Sequence, residues 1–581
     1  MFFDLRLRGE KLLNKFTFYF AASCRSFSPK VSQQKIIEFN AQGVALLSGD
    51  EAIALAAIHC GVTLGTGYPG TPSTEILETF SDLGGKAQWA PNEKVAAEVA
   101  LGVAFASGRT LVTMKHVGLN VAADVLFTAA YSGVLGGYVL VCADDPGMAS
   151  SQNEQDTRRY AVAAGVPMLE PADSQEAYDF TGLAFEISER WQIPVILRVT
   201  TRVCHSHTMV KPHEKFSAPL TPCFARNIPE RVMVPAHARP AHRRLRKKLA
   251  EIEAWNVAEG PNQIIEGSQS DLGIITSGVA TVHAQEAAPE TTMLKLGMTH
   301  PLPMDLIRDF ASRFKRCVAI EEGDPYLNDA LRAAGIALEK RLESYRFGEL
   351  SVNRVRHLLA GGEEPQTVPP RGKPPQLCEG CPHRSTFSVL KGLDCIVAGD
   401  IGCYTLAALP PLQAMDTQIC MGASIGVGLG MRHTLPEEQA RRVVSVIGDS
   451  TFLHSGVTGL IEMAYNPPAS GHVVVIVDNG TTAMTGLQEH PGTGRTLDHS
   501  RAAKVVPEEI ARALGIPNVQ VFNPVKELDL FERELKGALK AGVLSVFVAR
   551  QPCILAFGKI KSYEKAIAES CDCGCAQPVA E

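Results

Sequence analysis

Val443-Val-Ser-Val-Ile-Gly448-Asp449-Ser450, and then Val473-Val-Val-Ile-Val477-Asp478-Asn479-Gly480-Thr481, is the stretch that decides the fold. Two short Val-rich runs without polar alternation read as strands buried on both faces, as in a parallel sheet covered by helices. The first run ends in Gly-Asp, so the Asp449 carboxylate stands at the strand's carboxyl end, ahead of a helix whose amino terminus can face a diphosphate. Thirty positions after Asp449, the second run brings the Asn479 amide oxygen to the same edge. One carboxylate, one amide oxygen and the Thr481 backbone carbonyl leave octahedral positions free for two phosphate oxygens, which suits Mg²⁺. A Gly-Asp pair alone carries no information. The spacing, the two bracketing strands and the upstream run Met421-Gly422-Ala-Ser-Ile-Gly-Val-Gly make the signal specific.

Outward from this stretch the chain alternates strand-like and helix-like segments, which argues for α/β architecture with doubly wound parallel sheets. A first unit, 43–211, carries strand patterns at Val62–Tyr68, Thr110–Met114, Gly137–Ala143 and Ile193–Val199. Residues 212–269 read as a linker with a solvated basic helix at His242–Leu249, since no aromatics interleave its charges and acidic turns follow. A second unit, 270–360, has apolar runs at Leu272–Ser277, Thr292–Leu296 and Val318–Glu321. A Pro/Gly-rich linker, 361–376, precedes a third unit, 377–556, with strands at Val443–Ile447, Val473–Val477 and Leu544–Val548. A short polar tail, 557–581, ends in Cys571, Cys573 and Cys575, too few cysteines and too closely spaced for a four-cysteine cluster.

With 581 residues, the chain is several domains long. Its 56 basic and 62 acidic residues are too balanced for a nucleic-acid or membrane-surface partner. No run approaches a spanning helix. In the extension 1–42, Arg6, Arg8, Lys11 and Lys15 precede a short apolar run, Phe16–Ala22, interrupted by Thr17. As a signal peptide this is weak, and a ragged extension on a cytoplasmic protein is the preferred reading. Fifteen cysteines in so large a chain are not disulfide staples. Cys378-x-x-Cys381 reads as a metal or cluster clip.

The arrangement strand, Gly-Asp, helix, strand, Asn is similar to the diphosphate motif of thiamine diphosphate enzymes. Such enzymes require a second half-site, in which a buried carboxylic acid activates the aminopyrimidine. Glu93, in Pro91-Asn-Glu93-Lys94-Val-Ala-Ala-Glu98 at the head of an Ala-rich helix, resembles that glutamate, with Glu98 the alternative. By itself Glu93 would be an ordinary helix-terminal acid stabilised by the dipole. Tyr68-Pro69-Gly70-Thr71-Pro-Ser73 and Thr113-Met-Lys115-His116 follow strands of the same unit, where α/β folds build their sites, and offer polar groups for a substrate carboxylate or oxyanion. Ordinary turn chemistry accounts for the first of these as well, less easily for Lys115-His116. Asp144-Asp145 and the run Ser151–Asp156 follow the next strand and are further candidates for the cleft.

Together these motifs identify a resemblance over about 43–557. Gly67-Tyr-Pro-Gly-Thr-Pro-Ser-Thr, Asn92-Glu-Lys-Val-Ala, Met114-Lys-His-Val-Gly-Leu-Asn, Ser150-Ser-Gln-Asn-Glu-Gln-Asp, Cys378-Glu-Gly-Cys-Pro-His-Arg and Gly399-Asp-Ile-Gly-Cys-Tyr resemble the alpha-subunit family of indolepyruvate ferredoxin oxidoreductases, which are 2-oxoacid:ferredoxin oxidoreductases. The resemblance implies a thiamine diphosphate-binding fold of three doubly wound domains (pyrimidine, transketolase C-terminal-like, diphosphate). It implies oxidative decarboxylation of aryl pyruvates, with coenzyme A taking the acyl group. Catalysis would involve Glu93, His116, Lys115 and Thr71. The cofactor would contact Tyr68, Pro69, Gly70, Glu93, Gly402, Met421, Gly422, Gly448, Asp449, Ser450, Asn479 and Thr481, with Mg²⁺ on Asp449, Asn479 and Thr481. The order Cys378, Cys381, Cys403, Cys553 is similar to the ligand set of the cluster nearest thiamine in related oxidoreductases, which implies a 4Fe-4S cluster; zinc or four reduced thiols are the alternatives. Implied partners are a smaller beta subunit, ferredoxin or another electron acceptor, and a homo-dimer of heterodimers, on the expectation that the two half-sites meet between domains or between chains.

The usual alpha subunit ends in a ferredoxin-like module, which this chain does not carry. A non-oxidative thiamine diphosphate decarboxylase or ligase is therefore the competing function. A catalytically silent scaffold is the third, set against the presence of Glu93, Asp449 and Asn479.

Overall fold

The computed structural model describes residues 37–212, 216–363 and 376–570. The start of the N-terminal extension, most of the 361–376 linker and Cys571, Cys573 and Cys575 lie outside the described residues.

In chain order the first unit contributes β1 (Ala45–Ser48), β2 (Leu64–Gly67), β3 (Ala87–Trp89), β4 (Thr110–Lys115), β5 (Tyr138–Asp144), β6 (Met168–Leu169), β7 (Val195–Thr200) and β8 (His207–Val210). Then come β9 (Gln263–Ile265), β10 (Gln269–Ser277), β11 (Thr291–Leu296), β12 (Met298–His300) and β13 (Arg316–Ile320). The last group is β14 (Ile396–Ala398), β15 (Val443–Gly448), β16 (Val473–Asp478), β17 (Asn518–Phe522) and β18 (Ser545–Arg550).

They form a seven-stranded sheet ordered β12-β6-β7-β5-β4-β2-β3, a four-stranded sheet β13-β10-β11-β9, a five-stranded sheet β14-β15-β16-β18-β17 and a small β1-β8 ribbon. The five-stranded sheet is wholly parallel. The other two main sheets are parallel except at an edge, where β12 runs antiparallel to β6 and β9 to β11. This is the doubly wound α/β architecture that the Val-rich runs predict, with antiparallel edges that two- and three-residue strands do not advertise. Along β16 the side chains alternate between two cores: Val473, Val475 and Val477 pack with Phe387, Phe531 and Phe547 on one face. Val474 and Ile476 pack with Ile425, Phe452 and Leu460 on the other. Both faces are covered, which is why the run shows no polar alternation.

The second unit is stitched to the first. β12 leaves β11 through Gly297 and joins the first sheet, and a Cβ at Gly297 would stand 2.1 Å from the Pro261 carbonyl oxygen, so only glycine passes there. Arg158 pairs with Glu321 across the junction (2.9 Å). Arg198 beside it binds Asp144 (2.8 Å) and Glu170 (2.9 Å).

Two segments differ from their sequence reading. The basic helix spans Pro235–Ala258 and buries Ala241, Leu245, Leu249 and Ile252, three of which belong to the first unit's core. Only its outer face is solvated, because an apolar stripe at helical spacing runs beneath the charges. The polar tail begins as a helix, Phe557–Ser570. Among the described residues no helix is long and apolar enough to cross a membrane.

Candidate active site

β15 and β16 are neighbours, with Gly448 opposite Val477. Asp449 and Asn479 therefore emerge side by side at the carboxyl ends of two adjacent strands. Both are buried, as is Thr481. The Gly480 N–H donates to Asp449 Oδ2 (2.9 Å) and the Thr481 N–H to Asn479 Oδ1 (3.1 Å), so the loop presents its oxygens as a set. Burial opposes ionisation of Asp449. The charge and hydrogen bond of His490, whose Nε2 is 3.2 Å from Oδ2, prevail and hold its carboxyl below the usual range. The donors are hard oxygens, one of them charged, and fit Mg²⁺. Gly480, at φ +71° with open space where a Cβ would stand, keeps the loop clear.

Tyr404, from a 3-10 turn (Cys403–Ala408), accepts from the Gly448 N–H at 2.9 Å. Asp400 accepts from the Gly422 and Ser424 N–H groups (both 2.9 Å) and so anchors the Met421-Gly422 corner. Gly422 lies at φ +87°, and a Cβ there would meet Ser455 at 2.6 Å.

The cleft above these strands is about 530 Å³, solvent space included. Tyr68, Pro69, Gly402, Met421, Gly448, Asp449, Ser450, Asn479 and Thr481 all line it, together with Cys403. Gly70 and Gly422 stand behind the lining, Gly70 against the aliphatic stem of Lys115.

Its opposite wall comes from the first unit of the same chain. The Tyr68 hydroxyl is 2.8 Å from Ser450 Oγ, and Gln488 Nε2 donates to Glu78 Oε1 (3.0 Å). Glu93, buried at the first position of helix Glu93–Phe105, places Oε2 2.7 Å from His454 Nε2. The two half-sites thus meet between units of one chain, and completeness of the site gives no reason for a second copy. Glu98 lies on the outer face, half-exposed and paired with Lys94, away from the cleft.

Lys115 donates to the Ser150 carbonyl (3.3 Å). Burial lowers its pKa against the Asp145 and Glu93 charges, so its cation lies within reach of Glu93's field. Ser150 Oγ also donates to the Thr71 carbonyl (3.4 Å). His116 is fully buried and outside the lining, its Nε2 3.0 Å from the Asn153 carbonyl oxygen. Asp144 and Asp145 do not line this cleft either. Asp144 is held by Arg198 and Thr157, while Asp145 accepts from the Ser150 N–H and the Ser151 and Thr201 hydroxyls, organising the loop that Lys115 touches.

Cys378 and Cys381 open the third unit, joined by a Cys381 N–H to Cys378 carbonyl bond (3.1 Å). The Cys553 N–H donates to the Asn479 carbonyl (3.0 Å), tying the last cysteine to the Asn479 loop. Burial raises the Cys403 thiol to about 11, reinforced by Cys553, Cys381 and Cys378. The four share one neighbourhood beside the cleft.

Two family models match the two walls. "Thiamine pyrophosphate enzyme, C-terminal TPP binding domain" covers residues 400–549, and "Pyruvate flavodoxin/ferredoxin oxidoreductase, thiamine diP-bdg" covers 55–230. Indolepyruvate oxidoreductase subunit IorA of Archaeoglobus fulgidus is 40% identical over 562 residues, 90% of this chain and 88% of its own. The chain belongs to the IorA family. The subunit of that name from Methanothermobacter thermautotrophicus is 39% identical (90% of each chain covered) and that from Thermococcus kodakarensis 38% (88% and 86%). A solved 2-oxoglutarate:ferredoxin oxidoreductase from Magnetococcus marinus aligns with 17% identity and a TM-score of 0.46, over 55% of this chain and 65% of that one. As an IorA-family oxidoreductase the chain carries thiamine diphosphate-binding regions on both sides of the cleft: Tyr68 and Glu93 fall in the 55–230 match, Gly402, Asp449 and Asn479 in the 400–549 match. Cys378, Cys381 and Cys553 lie outside both.

His454, His490, His383 and Tyr404 were not anticipated. His383 Nε2 sits 3.4 Å from Asn479 Nδ2. Lone histidines on helices and turns carry no spacing signal. The available cues were position alone: His383 and Tyr404 stand inside two of the motifs that carry the resemblance, and His454 lies four residues past Ser450, between the two decisive runs.

Proposed function

We propose that this chain, with a smaller beta subunit, oxidatively decarboxylates aryl pyruvates such as indolepyruvate and phenylpyruvate to aryl-acetyl-CoA, passing two electrons singly to ferredoxin or another one-electron acceptor in the cytoplasm. What supports the reading is that the Glu93 carboxyl meets His454 of the facing wall, beside Tyr68, at the border of the cleft that Asp449 and Asn479 line. Thiamine diphosphate, when bound, supplies the nucleophilic carbon and the electron sink. Asp449 and Asn479 side chains and the Thr481 carbonyl hold Mg²⁺ on its diphosphate. Tyr68, Pro69, Met421 and Gly402 enclose it, with Gly70, Gly448 and Ser450 shaping the wall. Glu93 holds a proton for the pyrimidine ring nitrogen. Lys115, whose charge is weakly solvated, faces the substrate carboxylate, with Thr71 beside it. His116 supports that edge through the Asn153 carbonyl.

Cys378, Cys381, Cys403 and Cys553 would hold a 4Fe-4S cluster, which would supply a one-electron acceptor. In favour of a cluster over zinc, the proposed oxidation needs a one-electron acceptor close to the cofactor, and zinc accepts no electrons. Protein purified anaerobically is expected to be brown, with about four irons per chain, and Cys403→Ser to lose iron and dye reduction together. Colourless protein with stoichiometric zinc contradicts the cluster.

The competing non-oxidative reading retains the same cleft but leaves the electrons in the product. Incubation with indolepyruvate, coenzyme A and a one-electron dye separates the two. Aryl-acetyl-CoA with dye reduction is expected; free aldehyde with the dye unreduced supports the decarboxylase.

A further inference from the structure

We infer that His454 is the positioning residue for Glu93: it occupies Oε2 of that carboxyl and so confines the exchanging proton to Oε1. The inference rests on the proton-carrying role of Glu93 argued above and adds the group that aims it.

His454 comes from the opposite wall. It sits in a π-helical turn, Phe452–Gly456, inserted between Asp449–Thr451 and the helix Val457–Tyr465. Wide turns of this kind are rare and concentrate at functional sites. The imidazole is held on three sides, and the backbone behind it by a fourth contact. Nδ1 is 2.7 Å from Ser455 Oγ, and Nε2 is 2.7 Å from Glu93 Oε2. The Tyr68 ring stands edge-on at 4.8 Å, and Asn92 Nδ2 donates to the His454 carbonyl (2.9 Å). Asn92 is also the N-cap of the Glu93 helix, its Oδ1 accepting from the Val95 N–H. One side chain therefore fixes both the start of the helix carrying Glu93 and the backbone of its partner.

The other carboxyl oxygen is shaped by Gly118. A Cβ there would stand 2.6 Å from Glu93 Oε1 and 2.7 Å from its Cγ, so glycine alone lets the carboxyl lie where His454 holds it. With Ser455 Oγ donating to Nδ1, the ring donates its Nε2–H to Oε2. Oε1 then gives a proton to the pyrimidine nitrogen and takes it back, and the imidazole proton inventory does not change. A carboxyl held at one oxygen by His454, with Gly118 leaving room for the other, starts each exchange from one geometry, and a displacement of about 1 Å in such a site costs on the order of 100-fold.

The test measures exchange of the thiamine C2 proton with deuterium by quenched NMR, Mg²⁺–thiamine diphosphate affinity, and, in the cofactor-free protein, the His454 ring ¹⁵N signal. His454→Ala is expected to slow exchange on the order of 100-fold while changing affinity less than about twofold. His454→Gln, which retains an N–H donor, should recover most of that loss, and Glu93→Gln/His454→Ala should be no slower than Glu93→Gln, because residues acting as a unit are not additive. Glu93→Gln should move the His454 ring signal without any cofactor present. Wild-type exchange in His454→Ala, an unmoved ring signal, or a parallel loss of affinity and exchange that His454→Gln does not recover overturns the positioning role. Wild-type exchange in Glu93→Gln instead overturns the role of Glu93 itself.

Discussion

Asp449→Ala abolishes Mg²⁺–thiamine diphosphate binding. The substitution removes the only charged oxygen of the proposed metal set, leaving Asn479 and a backbone carbonyl, two neutral donors, for a strongly hydrated cation. It also leaves the Gly480 N–H with only its longer bond to Asp478 Oδ1 (3.2 Å) and His490 without its carboxylate. Asp449→Asn therefore serves as the companion variant, since it keeps an acceptor for Gly480 and loses only the charge. Both should show no saturable cofactor binding by calorimetry at concentrations that saturate the wild type. Unchanged affinity in either would remove Asp449 from the metal site.

Glu93→Gln has the opposite signature. The cofactor stays bound, because Glu93 is not among the groups holding the diphosphate, but turnover falls on the order of 10²–10⁴-fold, the usual worth of a positioned proton carrier. An amide cannot carry the proton yet fills the same volume against Gly118, so packing is conserved. Steady-state rates with indolepyruvate at saturating cofactor check it; a wild-type rate sinks the assignment.

The positions of Asp449 and Glu93 were readable because strand ends and helix starts are readable. β15 and β16 announce themselves by runs of Val and Ile, interrupted only by Ser445 in β15, and a residue just past such a strand has one place to go, the carboxyl edge of the sheet. Glu93 and Glu98 both stood in the Ala-rich helix. Five residues of α-helix turn the chain by about 140° beyond a full circle, so only one of them, Glu93, turns to His454 on the facing wall, and which one depends on how the helix is docked. His454 was not readable, since its aim comes from a π-helical turn and from Asn92 on another unit. Edge strands such as β12 are too short to show a period, and the stripe Ala241, Leu245, Leu249, Ile252 was masked by the basic residues around it. The four cysteines follow the reverse pattern: their order was legible, and the fold adds that Cys553 is bonded to the Asn479 loop.

If a single chain supplies both halves of the thiamine site, co-expression of Glu93→Gln with Asp449→Ala cannot restore activity. The two inactive chains, differently tagged and purified as hybrids through both tags, are assayed with indolepyruvate beside hybrids of wild type with each variant. If Glu93 and Asp449 of one chain face the same cofactor, every site in the double-variant hybrid carries one defect or the other, and it stays as inactive as its parents while the wild-type hybrids are active. Recovery of a substantial fraction of wild-type activity would mean that the half-sites are contributed by different chains, and would contradict the account.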